Sequence, residues 1–321
     1  MKFDTVIFLS KRIVVALGGN AIQKPEDRGT IEEQLDALSK TCDELAKMIR
    51  EGHKIVITHG NGPQVGALLI QNEEAKEKVP QMPLDVCGAE SQALIGYMIQ
   101  QTLRNKLKKI GINKDTATVI TQVKVDPDDP AFENPTKPVG PFYTEEQAEK
   151  LRREKGYVIR KIEKERYRRV VPSPEPKSIV EIDAIQRLVE AGVIVIASGG
   201  GGVPVVERDD GRLEGVEAVI DKDLAGEILA REIKADVMLF LTNVQGVAVN
   251  YSKAGQRFLN RMTMEEAKSY LREGEFPSGT MGPKIEAAIK FLESGGEKAV
   301  VSSLEDAFEA LEGKVGTTIT R

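Results

Sequence analysis

Short runs of apolar, mostly β-branched residues recur along the chain at positions 13–17, 54–58, 116–125, 193–197, 236–242 and 298–302. Within each run apolar positions follow one another without polar alternation. Strands buried on both faces of a parallel sheet read this way, because helices cover both sides. The stretches between the runs are helical in pattern. Four of them open on a Ser or Thr followed three residues later by Glu or Gln: Thr30 with Glu33, Thr144 with Gln147, Ser178 with Glu181, and Thr263 with Glu266. Such a pair satisfies free N–H groups at a helix start from both directions. Alternating strands and helices predict an α/β fold, a three-layer αβα sandwich around a mainly parallel sheet.

One stretch breaks this rhythm. From about 126 to 176 the chain carries Pro127, Pro130, Pro135, Pro138, Pro141, Pro172, Pro174 and Pro176 among many charges. A helix near 144–155 and a strand near 157–162 are predicted inside it. The stretch reads as a small inserted, protruding subdomain; the alternative is a long ordered loop, which would itself suggest a cover over a site. The remainder reads as one large domain over 11–321, preceded by an N-terminal extension over 1–10.

The chain has 321 residues, 40% of them hydrophobic. That suits about two units of ~150 residues, or one large α/β domain with an insertion. No apolar run reaches the roughly 18 to 20 residues of a membrane span. The apolar start, Val6-Ile7-Phe8-Leu9, is short, is preceded by Asp4, and lacks a cleavage-site pattern. Two cysteines, Cys42 and Cys87, make neither a disulfide framework nor a zinc knuckle. The net charge of -5 argues against nucleic acid as a partner. The expectation is a cytoplasmic protein with no membrane association.

Three glycine clusters follow predicted strands: Gly18-Gly19-Asn20, Gly60-Asn61-Gly62-Pro63, and Gly199-Gly200-Gly201-Gly202. Glycine lets backbone approach a ligand closely and lets successive N–H groups turn toward an anion. Ends of parallel strands are where open α/β sheets bind ligands. Pro63 suits a first helical turn, which would set a helix N-terminus beside the second cluster. Familiar nucleotide fingerprints do not fit. Gly60 to Gly66 is one residue too long for the dinucleotide pattern, and Gly279 to Lys284 lacks P-loop spacing and the following Ser or Thr.

Phosphates held without a P-loop need separate cations, and lysine is a compact one. Lys222 stands at a predicted helix start between Asp221, a natural cap, and Asp223. A cation there opposes the helix dipole, unless an anion sits beside it. Lys284 occupies a similar place after Gly282-Pro283, and Lys137 lies in the stiff frame Asn134-Pro135-Thr136-Lys137-Pro138-Val139-Gly140-Pro141-Phe142. The two histidines read as structural, His53 on the surface and His59 as a hydrogen-bonding group of its loop. The apolar stretch 89–99 reads as a buried helix or part of a dimer surface.

These pieces, with the Val-Val-Pro-Ser-Pro of 170–174, resemble the carbamate kinases of the amino-acid-kinase superfamily from Lys11 to Arg321. The resemblance implies the substrates ATP and carbamate, the products ADP and carbamoyl phosphate, magnesium carried mainly by the nucleotide phosphates, and a homodimer. It implies that Gly18, Gly19, Asn20, Gly60, Asn61, Gly62, Gly200 and Gly201 cradle the transferring phosphoryl and the acceptor. Lys137 would reach over to the acceptor. Lys222 and Lys284 would hold nucleotide phosphates, with Asp223 orienting them, and Thr242, Asn243, Val244, Tyr251, Met281 and Pro283 would surround the nucleotide. Two departures from the pattern stand out: the basic stretch 161–169, where relatives often carry Gly-Arg-Gly-Trp, and Asn243, where they often carry Asp. Another small-acid kinase, of the acetylglutamate type, and a non-catalytic nucleotide sensor remain as alternatives.

Overall fold

The strand Arg12–Leu17 runs through the middle of an eight-stranded sheet. In spatial order the strands are Arg261–Thr263, Thr317–Thr320, Lys298–Ser303, Val237–Thr242, Arg12–Leu17, Lys54–His59, Ile194–Ile196 and Thr116–Thr118. Neighbours pair in parallel from Thr116–Thr118 across to Lys298–Ser303, and one antiparallel step follows, onto Thr317–Thr320. The computed structural model describes residues 10–321 except Pro25, Lys164, Glu165, Ala254, Pro277 and Ser278, and describes only the backbone of Asn20 and Glu163. The extension read over 1–10 therefore lies, save for Ser10, outside the described residues.

The unbroken apolar runs are explained by this sheet. In register, Ile13 faces Ile55 on one side and Val237 on the other. Val14, Ala16, Val56, Met238 and Phe240 belong to the core on one face, and Ile13, Val15, Leu17, Ile57 and Leu239 to the core on the other. Successive side chains of a strand point to opposite faces, so a sheet covered twice needs an apolar residue at every position. The helices Ile31–Arg50 and Leu84–Lys109 cover one face, and Ile182–Glu190, Lys222–Glu232 and Met281–Glu293 the other. The fold is the expected three-layer αβα sandwich. Within Leu84–Lys109, Ile95, Met98 and Ile99 are buried while Leu94 and Tyr97 face outward, so the stretch 89–99 is a helix with one buried side.

Capping boxes form at Thr30, Thr144 and Thr263. The fourth does not. Ser178 lies in the strand Pro176–Ile179, and the next helix begins only at Ile182. Glu181 instead accepts hydrogen bonds from the backbone N–H of Gln122 at 2.7 Å and from its side-chain amide at 2.8 Å. The run 116–125 also differs from its single-strand reading. Thr116–Thr118 edges the main sheet, whereas Gln122–Val125 joins a second sheet with Val203–Glu207, Leu213–Gly215 and Pro176–Ile179. Buried polar bonds divide the run: the Thr121 N–H donates to Gln92 at 2.8 Å, and the Thr121 hydroxyl accepts from the Ser198 N–H at 2.8 Å. His53 is buried rather than on the surface, its ring accepting the Lys11 N–H at 3.2 Å.

Between 126 and 176 the chain leaves the main sheet. Lys137–Tyr143, Arg166–Val171 and Ile159–Glu163 form a separate antiparallel sheet with Arg166–Val171 at its centre. The helix Glu145–Lys155 lies between its first two strands in sequence, and Gly156 ends it in the left-handed conformation at φ 66°. Ala148, Ile159 and Tyr167 make a small core of their own.

Candidate active site

Four turns converge at the carboxyl ends of the central strands and enclose a cavity of about 550 Å³. Gly18 and Gly19 follow Arg12–Leu17, and Gly60, Asn61 and Gly62 follow Lys54–His59. Gly200 comes from the four-glycine turn, and Thr242, Asn243 and Val244 follow Val237–Thr242. Across the cavity stand Lys137, Lys222, Asp223 and Lys284, with Tyr251, Met281 and Pro283. Asn20 lies in the turn Gly19–Ala21, and its side chain lies outside what is described. Gly201 is buried and set back from the cavity wall, and a side chain there would begin 2.4 Å from the Ile220 carbonyl oxygen. Its glycine serves backbone packing.

The cradle is fixed from behind. The Asn61 amide donates to the Ser91 hydroxyl at 2.8 Å, which turns it onto the helix Leu84–Lys109. At Gly200, with φ 66°, a Cβ would stand 2.2 Å from that amide. A close approach and a left-handed backbone together require glycine there.

Asp223 stands between two ammonium groups. Its carboxylate accepts from Lys222 at 2.6 Å and from Lys284 at 2.9 Å, and it is 3% exposed. Burial alone would raise the Asp223 carboxyl, but the charges and hydrogen bonds of Lys222 and Lys284 hold it below its ordinary value. Burial pulls the Lys222 ammonium down, against Asp223, and the Lys284 charge adds to the lowering. At their formal charges the three largely buried groups sum to one positive charge on the cavity wall, and a site of that sign attracts an anion. The Lys222 side of it is at a helix start: Asp221 caps Lys222–Glu232, accepting from the Asp223 N–H at 2.9 Å.

Sequence reasoning gave Asp221 only that capping role. Its second oxygen accepts from Lys137 at 3.0 Å, across 84 positions of sequence. Phe276, Ala248 and Gly246 also line the cavity. No local pattern marks them, since an apolar wall is made by whichever residues the fold brings there.

His59 is buried directly behind the second glycine turn, with ring Nδ1 3.0 Å from the Gly60 carbonyl oxygen and Nε2 without a hydrogen-bond partner among the described residues. Burial lowers its pKa to about 4, the Gly60 bond opposing and the Lys222 charge reinforcing the shift. The ring is therefore neutral at pH 7, and Nδ1 is the donor that Gly60 requires. An unfolded histidine titrates near 6.5, so the neutral ring favours the fold in full above that pH, and the contribution is lost as pH falls from there toward 4. Over the interval from 6.5 to about 5 the loss is about 2 kcal/mol. Urea unfolding near pH 7.5 and pH 5 should show wild type losing that much more stability than His59→Gln. Equal losses would mean that the ring is protonated in the fold.

The amino acid kinase family matches residues 11–303. Carbamate kinase of Pyrococcus furiosus is 54% identical over 313 residues, covering 97% of this chain and 99% of its own length. That of Thermococcus kodakarensis is 55% identical over 314 residues, with 97% and 99% covered. Among solved structures, carbamate kinase from Giardia lamblia bound to AMP-PNP superposes with a TM-score of 0.92 at 42% identity, covering 97% of this chain and 98% of its own. The chain belongs to the amino acid kinase family. Within that family these relatives, alike over nearly their full length, are carbamate kinases.

Proposed function

We propose that the chain is a carbamate kinase, transferring a phosphoryl group reversibly between ATP with carbamate and ADP with carbamoyl phosphate. The observation that carries this reading is that Lys137, from the protruding sheet, faces the same cavity as the Lys222–Asp223–Lys284 cluster and the glycine turns. One set of cations is thus available for the nucleotide phosphates, and a separate one for the acceptor.

Carbamate is an anion at neutral pH, so its oxygen attacks the γ-phosphorus without a base. The new O–P bond forms as the bond from the γ-phosphorus to the β,γ-bridging oxygen breaks, and ADP carries away the electron pair. Such a reaction needs alignment and charge neutralisation more than covalent help. In this reading Lys222 and Lys284 neutralise the passing phosphoryl, Asp223 orients them, and the backbone of Gly18, Gly19, Asn20, Gly60, Asn61 and Gly62 aligns donor and acceptor. Gly200 closes the cradle behind Asn61, while Gly201, packed against Ile220, is left out of it. The nucleotide lies along Thr242, Asn243 and Val244, with Tyr251, Met281 and Pro283 opposite. Magnesium arrives on the nucleotide as part of the substrate; the carboxylates of Asp221 and Asp223 already accept from lysine ammoniums.

The proposal extends to an enzyme of the cytoplasm that works as a homodimer, with 126–176 as an inserted subdomain. In its support, Cys42 and Cys87 are both free thiols, and no helix among the described residues is long and apolar enough to cross a membrane. Leu94 and Tyr97, exposed on one helix face, are the apolar surface offered for the dimer. Sedimentation velocity tests that assembly: a species of one chain's mass would sink it.

Carbamoyl phosphate and ADP, with ATP detected through a coupled dehydrogenase, test the reaction itself. Rapid ATP formation is the expected result. Turnover only with acetylglutamyl phosphate or another acyl phosphate would make the chain a different acid kinase. Nucleotide binding without turnover would make it a sensor.

A further inference from the structure

We propose that Asp221 is a positioning residue for this reaction: it sets the Lys137 ammonium over the acceptor end of the cavity and ties the protruding sheet to the helix that carries Lys222 and Asp223. The inference rests on the reading of the site as a carbamate kinase.

Each oxygen of Asp221 has its own partner. Oδ1 accepts from the Asp223 N–H at 2.9 Å, and Oδ2 from Lys137 at 3.0 Å. The backbone brings the two elements together first. Lys137 pairs with Val171 in the protruding sheet, the Thr136 N–H donates to the Val171 carbonyl at 3.2 Å, and the Val219 N–H donates to the Pro172 carbonyl at 3.0 Å. The root of the subdomain is thereby fastened two residues before Asp221. The side-chain pair completes that junction on the cavity side.

A pair with Lys137 35% exposed and Asp221 16% exposed contributes little to folding. Its effect is on direction. Lys137 enters a space that already holds two ammoniums, those of Lys222 and Lys284, and both repel it. Asp223 is occupied by those two lysines, so Asp221 is the carboxylate that holds the third cation at the wall. An ammonium has three donors, and one spent on Asp221 leaves two for an acceptor oxygen. The acceptor therefore meets a cation already aimed, on a frame stiffened by Pro138.

Asparagine separates this role from helix capping, because it caps as well as aspartate but carries no charge. In Asp221→Asn, melting should stay within about 2 °C of wild type. Its kcat/KM for carbamoyl phosphate should fall about 10- to 100-fold, with KM for ADP changed by no more than about twofold. In a Lys137→Met background the same substitution should cost less than about threefold, since the partner is already gone. Acetylation of Lys137 by acetic anhydride, followed by peptide mass spectrometry, should be faster in Asp221→Asn than in wild type, a readout independent of turnover. Normal kinetics in Asp221→Asn, an equal loss in both backgrounds, or unchanged labelling of Lys137 would each overturn the proposal. Failure of the carbamate kinase reading would look different: wild type would make no ATP, while the labelling experiment would still decide whether Asp221 holds Lys137.

Discussion

Replacing Lys222 or Lys284 with alanine is expected to lower kcat by about two to four orders of magnitude, with cooperative unfolding retained. Removing one preorganised donor from a charge-stabilising site typically costs about 10²- to 10³-fold, and a cation placed on a transferring phosphoryl contributes up to about 10⁵-fold. The two lysines are placed inside this range because both are largely shielded from water. Lys284 is 8% exposed, and the side chain of Lys222 is 16% exposed. Each variant leaves Asp223 with one ammonium partner, so the buried carboxylate stays paired and the fold survives. The loss should appear in kcat more than in the KM for ADP, because charge on the passing phosphoryl is greatest in transit. Steady-state kinetics with carbamoyl phosphate and ADP, alongside a thermal melt, measure both parts. Turnover near wild type in both variants would remove the lysines from the reaction.

Why those lysines could be picked out from sequence is instructive. Lys222 stands where a helix start disfavours a cation, and that local conflict marks it as a candidate for anion binding. The main sheet was legible for a similarly physical reason, since strands covered on both faces cannot alternate with polar positions. Legibility failed where long-range contacts decide. Ser178 and Glu181 had the spacing of a capping box, yet the second sheet takes Ser178 as a strand residue and Glu181 as a partner of Gln122. The run 116–125 looked like one strand because the bonds that divide it come from Gln92 and Ser198. Asp221 showed only its capping role, because its other partner lies 84 residues away. Gly201 shared a cluster with Gly200, and only the packing of Ile220 separates their roles.

Asp223→Ala should be the most damaging single change in the site. It is expected to lower stability by about 3 to 5 kcal/mol as well as to abolish turnover. The carboxylate stands between Lys222 and Lys284, at 2.6 and 2.9 Å, and its loss leaves two like charges facing each other in a buried place. Removing one member of a buried ion pair carries a cost of this size because the remaining charge keeps its desolvation penalty and loses its compensation. Two consequences separate this account from a simple packing defect. Burial already pulls the Lys222 ammonium below its ordinary value, and Asp223→Ala removes the largest charge opposing that pull, leaving the smaller effect of Asp221. A cation whose folded pKa is depressed is stabilised by its deprotonation, so the deficit should shrink as pH rises toward the lysine range. An anion should also substitute for the missing carboxylate. Pyrophosphate or ADP should then raise the melting temperature of Asp223→Ala by more than that of wild type at equal saturation, since binding relieves a repulsion that wild type lacks. Melting curves at two pH values, with and without pyrophosphate, test all of this together. A variant that melts like wild type, or a deficit indifferent to both pH and anion, would mean that the lysines are not held charged against Asp223, and the electrostatic basis of the site would have to be abandoned.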